Sequence, residues 1–181
     1  MKRFKITLMA FAALSLLLVA ACKKDENRTG SMTVMMTDAP GDFKEVNVEI
    51  LAVEIHYNDG DTTNGWISLP TRAGIYNLLT LQDSVTALLA TGTNLKEGKV
   101  TQMRLILGSS NTIVIDSVGT FPLTIPSGQN TGLKININQN IPIDMNLMIT
   151  LDFDAHKSIL KTGNEEYKLK PVITIKDVKI L

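Results

Sequence analysis

Apolar and polar residues alternate along most of the chain after residue 30, which is the pattern of short β-strands with one buried face. The clearest segments are Gly132–Asn138 and Asn146–Asp154. In the first of them, Leu133, Ile135 and Ile137 are expected to point inward, and the polar residues between them outward. Because Gly, Asn, Asp and Pro interrupt such segments at short intervals, the pattern predicts an all-β fold, an antiparallel β-sandwich.

One long alternating segment changes phase in its middle. Between Val46 and Ile50 the apolar residues stand at even positions, whereas Val53 and Ile55 stand at odd positions. A shift of one residue would move the later apolar side chains to the other face of the sheet. We therefore expect a bulge or bend near Ile50 and Leu51 that keeps one face buried.

A single short helix is predicted where the alternation breaks down. The segment Asp83–Ala90 begins with two residues that can cap a helix and continues with apolar residues at helical spacing. Gly92 follows as a stop signal. We expect this helix to cover an open end of the sandwich.

The first 22 residues have the layout of a secretory signal. Three cations precede the uncharged segment Ile6–Ala21, which is shorter than the roughly 20 apolar residues of a membrane-spanning helix. The residues Val19–Cys22 resemble a bacterial lipobox, which implies that the thiol of Cys22 is acylated and that this residue begins the mature protein. Since Cys22 is the only cysteine, a lipid anchor accounts for it and leaves neither a disulfide nor a thiol nucleophile.

These features predict a signal peptide at residues 1–21, a lipidated flexible tether at 22–30 and a single β-sandwich domain at 31–181. Lys23 follows the cysteine, in place of the aspartate that resembles an inner-membrane retention signal, which favours the outer membrane. The stretch Lys23–Glu26 resembles a signal for export to the outer face, although it would also serve as a simple charged linker. The membrane is therefore a partner through the N-terminal lipid.

The charge of the mature chain argues against nucleic acid as a partner. The mature chain has 15 Lys and Arg residues against 18 Asp and Glu residues, and no basic stripe. Both observations argue against nucleic acid.

The best candidate for chemistry is the triplet Asp152, Asp154 and His156. On a continuous strand these residues share one face, with neighbours roughly 6.5–7 Å apart. Two carboxylates and an imidazole could bind a divalent cation such as Ca²⁺, or the two acids could act as a general acid and base. The alternative is a solvated face opposite the buried Leu151 and Phe153. No nucleophile elbow accompanies the nearby serine, and no catalytic residues are assigned.

Two further sets of residues have alternative interpretations. Trp66, Tyr57 and Tyr76 could form a stacking platform for sugar rings, or Trp66 could fill the core. Asp38 and Asp42 flank a Pro–Gly turn and are expected to cap it through hydrogen bonds to the backbone.

Several motifs in order resemble one family, the domains of unknown function DUF4382. The motifs are Met36–Asp42, Tyr76–Leu79, Gln102–Leu105, Pro126–Gly128, Thr131–Lys134, Asp152–Ala155 and Leu169–Val172. The resemblance implies a secreted protein or lipoprotein with a transthyretin-like or immunoglobulin-like sandwich, and it assigns no activity.

We therefore expect an outer-membrane lipoprotein, facing the cell exterior, that acts as a non-catalytic binding or interaction module. The alternatives are a glycan-binding accessory domain, or an adhesin or structural subunit that pairs through an edge strand. No cofactor is expected apart from the Ca²⁺ considered above.

Overall fold

The fold is described from a computed structural model, which covers residues 28–39, 42–60, 65–126, 132–163 and 166–181. Within these residues thirteen strands form two β-sheets that enclose a shared hydrophobic core. The strands are β1 (Thr29–Asp38), β2 (Glu45–Asn58), β3 (Gly65–Leu69), β4 (Gly74–Asn77), β5 (Ala87–Lys96), β6 (Gly98–Leu107), β7 (Thr112–Ile115), β8 (Gly119–Thr124), β9 (Leu133–Ile141), β10 (Asn146–Phe153), β11 (Ile159–Lys161), β12 (Tyr167–Leu169) and β13 (Ile173–Ile180).

The predicted all-β sandwich is confirmed. The smaller sheet has the order β13-β10-β1-β5, and the larger has the order β11-β12-β8-β7-β2-β6-β9, with β3 and β4 also paired to β2. Most neighbours are antiparallel, but β1 pairs with β10 and β12 pairs with β8 in parallel. The sheets are therefore mixed, which corrects the expectation of a wholly antiparallel sandwich.

The core is built from the alternating positions of both sheets. The even-numbered Met32, Val34 and Met36 of β1 are fully buried, as are the odd-numbered apolar residues of β10. In β9 the predicted alternation is confirmed, since Ile135 and Ile137 are buried while the polar residues between them are exposed. Sequence period and burial therefore agree in these strands, as expected for half-buried strands.

The predicted bulge in β2 is also confirmed. The pairing of β2 with β6 shifts register between Ile50 and Ala52, and the side chain of Leu51 is 47% exposed. Val53 and Ile55 are fully buried on the far side of this shift. The extra residue thus returns the apolar side chains of a long strand to the same face.

The predicted helix at Asp83–Ala90 is wrong. From Ala87 onward the chain is strand β5, which pairs with β1, and Leu89 is buried in the core. Asp83 and Ser84 have φ of 53° and 73°, a left-handed turn that a right-handed helix cannot contain. Pairing with β1 and burial in the core outweigh the local spacing.

Two very short helices occur elsewhere in the described residues. A 3₁₀ helix at Leu78–Leu81 is capped by the side chain of Asn77, which accepts a hydrogen bond from the backbone N–H of Leu79 at 3.2 Å. The α-helix α1 is the single turn Ala155–Ser158. No helix in the described part of the chain has the length and apolar character needed to cross a membrane.

Candidate functional site

The C-terminal ends of β1 and β10 meet at one end of the sandwich. Because these strands are parallel, Thr37 lies beside Asp152 and Asp38 lies beside Phe153. Directly after β10, the backbone N–H of Asp154 donates to the carbonyl of Val172 at 3.0 Å, which brings the segment before β13 to the same place. Three of the sequence motifs, those containing Asp38, Asp152 and Val172, therefore converge here.

Asp38 is an acidic residue in the protein interior. Its side chain continues the buried even-numbered series of β1, and the residue is 2% exposed. Oδ1 accepts a hydrogen bond from the backbone N–H of Ala155 at 2.9 Å, whereas Oδ2 is buried and makes no hydrogen bond within the described residues. The carboxylate of Asp38 therefore holds the start of α1. The Pro–Gly turn that Asp38 is expected to cap lies outside the described residues, so that expectation stays a prediction.

The environment of Asp38 disfavours its charge. Burial raises the pKa of this carboxyl group, and the nearby charge of Asp152 raises it further. Hydrogen bonds from Ala155 and Gln82 act in the opposite direction but do not cancel the effect of burial. An ionised Asp38 is therefore less favourable here than in water.

Asp152 presents a second oxygen of the same kind. Its Oδ1 is buried and has no hydrogen-bond partner within the described residues. Beside it, the hydroxyl of Thr37 lies 2.6 Å from the carbonyl oxygen of Leu81 and 2.9 Å from that of Val85. These hydrogen bonds hold the turn before β5 against the C-terminal ends of β1 and β10. We call Asp38 and Asp152 the carboxylate pair.

Asp154 and His156 do not join Asp152 in the way the strand pattern predicted, because β10 ends at Phe153. Asp154 caps α1 instead: Oδ1 accepts from the backbone N–H of Lys157 at 2.9 Å, and Oδ2 lies 2.7 Å from its ammonium nitrogen. Burial raises the pKa of Asp154, but the bonds and charge of Lys157 outweigh it and lower the pKa.

His156 is exposed on α1, and its ring centroid lies 6.4 Å from that of Phe43. Across the described ranges, no three His, Cys, Asp or Glu residues gather as a possible metal site. The expected triplet is thus corrected, since one member caps a helix and another points to solvent.

Ser158, which follows His156 in sequence, has a structural role. Its hydroxyl donates to the carbonyl of Asp154 at 2.5 Å and accepts from the backbone N–H of Val172 at 2.9 Å. The residue is fully buried. Its oxygen is therefore committed to joining α1 to the chain before β13.

The three aromatic residues considered for glycan stacking do not form one platform. Tyr57 and Tyr76 pack against the core, and their hydroxyls donate to the carbonyls of Lys96 and Arg72. Burial, with the charge of Asp59, raises the pKa of Tyr57 to about 12.

Trp66 is the cross-strand neighbour of His56, and both lie on the outer side of the larger sheet. Trp66 therefore neither shares a platform with the two tyrosines nor fills the core.

Trp66 belongs to a surface that we call the polar face. The register of β3, β2, β6 and β9 places two rows of outward side chains across the larger sheet. The rows are Trp66, His56, Gln102 and Asn136, and beside them Ser68, Glu54, Arg104 and Lys134. Alternation alone marks these positions as outward, but only the strand pairing brings them together.

The side chains of the polar face are held by one another. Arg104 forms an ion pair with Glu54, and its guanidinium carbon lies 4.3 Å from the centre of the Trp66 ring. The Trp66 ring meets His56 edge to face, with centroids 5.4 Å apart. Cation–π contact and ion pairing both restrict rotation, so the indole is fixed in place.

These features define the class: an all-β sandwich with a polar outer face and the buried carboxylate of Asp38 at one end. The family model described as a domain of unknown function, DUF4382, matches residues 29–171. The chain belongs to this family. No curated protein and no solved structure matches it.

Proposed function

We propose that this protein is a lipoprotein, anchored through Cys22 in the outer membrane and facing the cell exterior, whose domain is a non-catalytic binding module. The lipobox-like Val19–Cys22 supports the anchor and lies outside the described residues. The described domain starts at Arg28, six residues after Cys22. A chain of that length reaches about 20 Å, so the domain would stay next to the bilayer.

The polar face is the observation that carries the binding role. It offers amide, imidazole, carboxylate and guanidinium groups on four adjacent strands, around a single indole. Gln102 donates to Asn136 at 3.1 Å, and His56 Nδ1 lies 2.9 Å from the hydroxyl of Thr101. Side chains that are already positioned lose little conformational freedom when a partner binds. Aromatic and arginine side chains are also the residues that most often dominate binding energy.

The same contacts support a non-catalytic role. Imidazole and hydroxyl groups are the usual parts of a nucleophilic site. Here the hydroxyl of Ser158 joins two backbone groups, and the ring of His56 packs against Trp66 and contacts Thr101. The Ser158 hydroxyl and the His56 imidazole thus both make structural contacts, which favours a structural role for them over a catalytic one.

Glycan binding is the favoured form of this function. Sugars combine apolar faces, which stack on aromatic rings, with hydroxyls that need donors and acceptors. One face of the Trp66 ring is covered by Arg104, so a sugar would stack on the other face, beside the donors and acceptors of His56, Gln102 and Asn136. Assembly through the edge strand β13 is less well supported, because this strand carries Lys176, Asp177 and Lys179 and its pairing with β10 is interrupted by a bulge.

Anchoring is tested with the full chain expressed in a bacterium that has an outer membrane. We expect Cys22 to incorporate a palmitate analogue, the protein to fractionate with the outer membrane, and external protease to digest it on intact cells. Cys22→Ser should abolish labelling and release the protein from the membrane. Labelling that persists in this variant would contradict the lipid anchor.

Binding is tested with the lipidated full chain in detergent, against immobilised neutral polysaccharides (dextran and mannan) and acidic ones (heparin and polygalacturonate). We expect at least one to retain the protein. Trp66→Ala should weaken that binding about 10- to 30-fold, the size expected for a central aromatic contact. Val118→Ala, at an exposed turn, is the control. No retention on any polysaccharide, or full binding by Trp66→Ala, would reject the glycan form of the proposal.

A further inference from the structure

Large apolar side chains are exposed together at the end of the smaller sheet where β1 begins. Met145 is 51% exposed, Ile180 57% and Leu181 63%. The backbones of Asn146 and Leu181 exchange hydrogen bonds of 2.8 and 3.0 Å, so Met145 is one residue away from this pair. Single exposed apolar side chains are common on protein surfaces, whereas several at one place mark a contact surface. We call Met145, Ile180 and Leu181 the apolar tip.

The apolar tip adjoins the point where the proposed tether enters the domain. The turn before β10 is bonded to the first residues of β1. The N–H of Asp144 donates to the carbonyl of Thr29 at 3.0 Å, and the N–H of Ser31 donates to the carbonyl of Met145, also at 3.0 Å. Because the described domain starts six residues after Cys22, a lipid on that cysteine would hold the apolar tip within about 20 Å of the bilayer.

Two ion pairs flank the apolar tip. Arg28 forms an ion pair with Asp144, and Lys179 pairs with Asp177 at 2.7 Å. In each pair the charges balance, so the field of the pair falls off faster with distance than that of a single charge. The apolar tip therefore offers hydrophobic contact more than electrostatic attraction, and a lipid surface fits it better than a polyanion does.

We propose that the apolar tip inserts into the surface of the bilayer that holds the lipid anchor. This inference rests on the proposed anchoring through Cys22. A few apolar side chains bind a membrane only weakly by themselves, as a single acyl chain also does. The tether strengthens this contact, because it keeps the apolar tip at a high effective concentration beside the bilayer. The domain would then have a fixed orientation on the membrane, with β1 directed away from it.

The test uses the lipidated full chain in phosphatidylcholine vesicles, with and without a lipid that carries a nitroxide quencher near its headgroup. The fluorophore NBD is attached to Thr93→Cys, because the exposed Thr93 lines the same groove as Met145. Val85→Cys is the matched control, since Val85 is also 51% exposed and its carbonyl accepts from Thr37 at the other end of β1. Acylation occupies Cys22, so the introduced cysteine is the only free thiol.

Apolar groups at a membrane interface lie about 5–10 Å deep, so the quencher should reduce the fluorescence of labelled Thr93→Cys at least about twofold. It should leave labelled Val85→Cys unchanged, because β1 separates the two ends by about 30 Å. Adding Met145→Gln and Ile180→Gln to Thr93→Cys keeps the anchor but makes the apolar tip polar, which should restore the fluorescence. If this combination does not fold, Met145→Gln alone replaces it.

The docking and the anchor fail in different ways. Protein that floats with the vesicles but is not quenched at Thr93→Cys, or is quenched equally when the Gln substitutions are present, would overturn the docking and leave the anchor intact. Wild-type protein that reacts with the NBD reagent through a free Cys22 thiol, or that does not float with the vesicles, would reject both.

Discussion

Asp38→Asn is predicted to stabilise the protein when no metal is present. The substitution keeps the Oδ1 acceptor for the backbone N–H of Ala155. It replaces the unpartnered Oδ2 by an amide nitrogen, which is neutral and can donate a hydrogen bond. It also removes the repulsion between Asp38 and Asp152. Each effect favours the folded state, in which the position is 2% exposed.

The magnitude follows from the unpartnered oxygen. A buried polar atom without a hydrogen bond is costly, and more so when it is charged, so the neutral amide recovers the part of the cost that is due to charge, on the order of 1–3 kcal/mol. For a domain of this size, 1 kcal/mol shifts Tm by about 2–4 °C, so the variant should melt about 2–12 °C higher at pH 7 in EDTA.

The pH dependence has a definite sign. The pKa of Asp38 is raised in the folded state, so its contribution to stability is present below the ordinary value of 3.8 and is lost as pH rises through the folded pKa. The advantage of the Asn variant should therefore be greatest near neutral pH and shrink toward pH 3.

The assay is thermal unfolding in EDTA, followed by circular dichroism from pH 3 to pH 8. Asp154, His156 and Lys157, which also lie at this end of the sandwich, are present in both proteins and are expected to cancel in the difference. Asp152 does not cancel, because its charge acts on Asp38. A variant that melts below the wild type at pH 7, or a difference that does not change with pH, would refute the reasoning.

Three further predictions test separate parts of the structure. Leu51→Asp should change the free energy of unfolding by less than about 0.5 kcal/mol, whereas Ile50→Asp should prevent folding, as measured by urea unfolding; equal effects would contradict the bulge. Asp154→Ala should cost about 1 kcal/mol by removing the cap of α1. Because the Asp154 pKa is lowered, this difference is present above pH 3.8 and should disappear as pH falls through the folded pKa; a constant difference would contradict the capping role. Since the pKa of Tyr57 is raised to about 12, its contribution is present below pH 10 and is lost as pH rises through about 12. Tyr57→Phe should therefore remove this part of the alkaline loss of stability in melts from pH 9 to pH 12, and an unchanged alkaline profile would argue against burial of the hydroxyl.

Strand positions could be predicted from this sequence because burial of one face of a strand requires an apolar residue at every second position, and that alternation is visible in the sequence. The phase change in β2 is the best example, since the exposed Leu51 follows directly from the two apolar series on either side. The prediction of a helix at Asp83–Ala90 was wrong because it also relied only on the local spacing of apolar residues. Leu88 and Leu89 fit a helical spacing, but Leu89 equally fits a strand, and only pairing with the distant β1 decides between the two.

The carboxylate pair had a partial signal in the sequence. Met32, Val34 and Met36 set an even-numbered buried series, and Asp38 is its next member. A polar residue that continues a buried series is a candidate for a special role. Its partner could not be found in this way, because antiparallel pairing was expected throughout and would have placed the C-terminal ends of β1 and β10 at opposite ends of the sheet.

Under the proposed anchoring, parallel pairing of β1 and β10 places both acids far from the membrane. β1 starts next to the proposed tether and spans nine residue steps to Asp38, a distance of about 30 Å at the rise of a β-strand. Since β10 runs in the same direction, Asp152 ends at the same distance. Asp38 and Asp152 thus lie at the end of the domain opposite the proposed anchor. The turn before β5, whose Leu81 and Val85 carbonyls accept hydrogen bonds from Thr37, lies at the same end. Under the proposed anchoring, this turn is therefore in the part of the domain farthest from the bilayer.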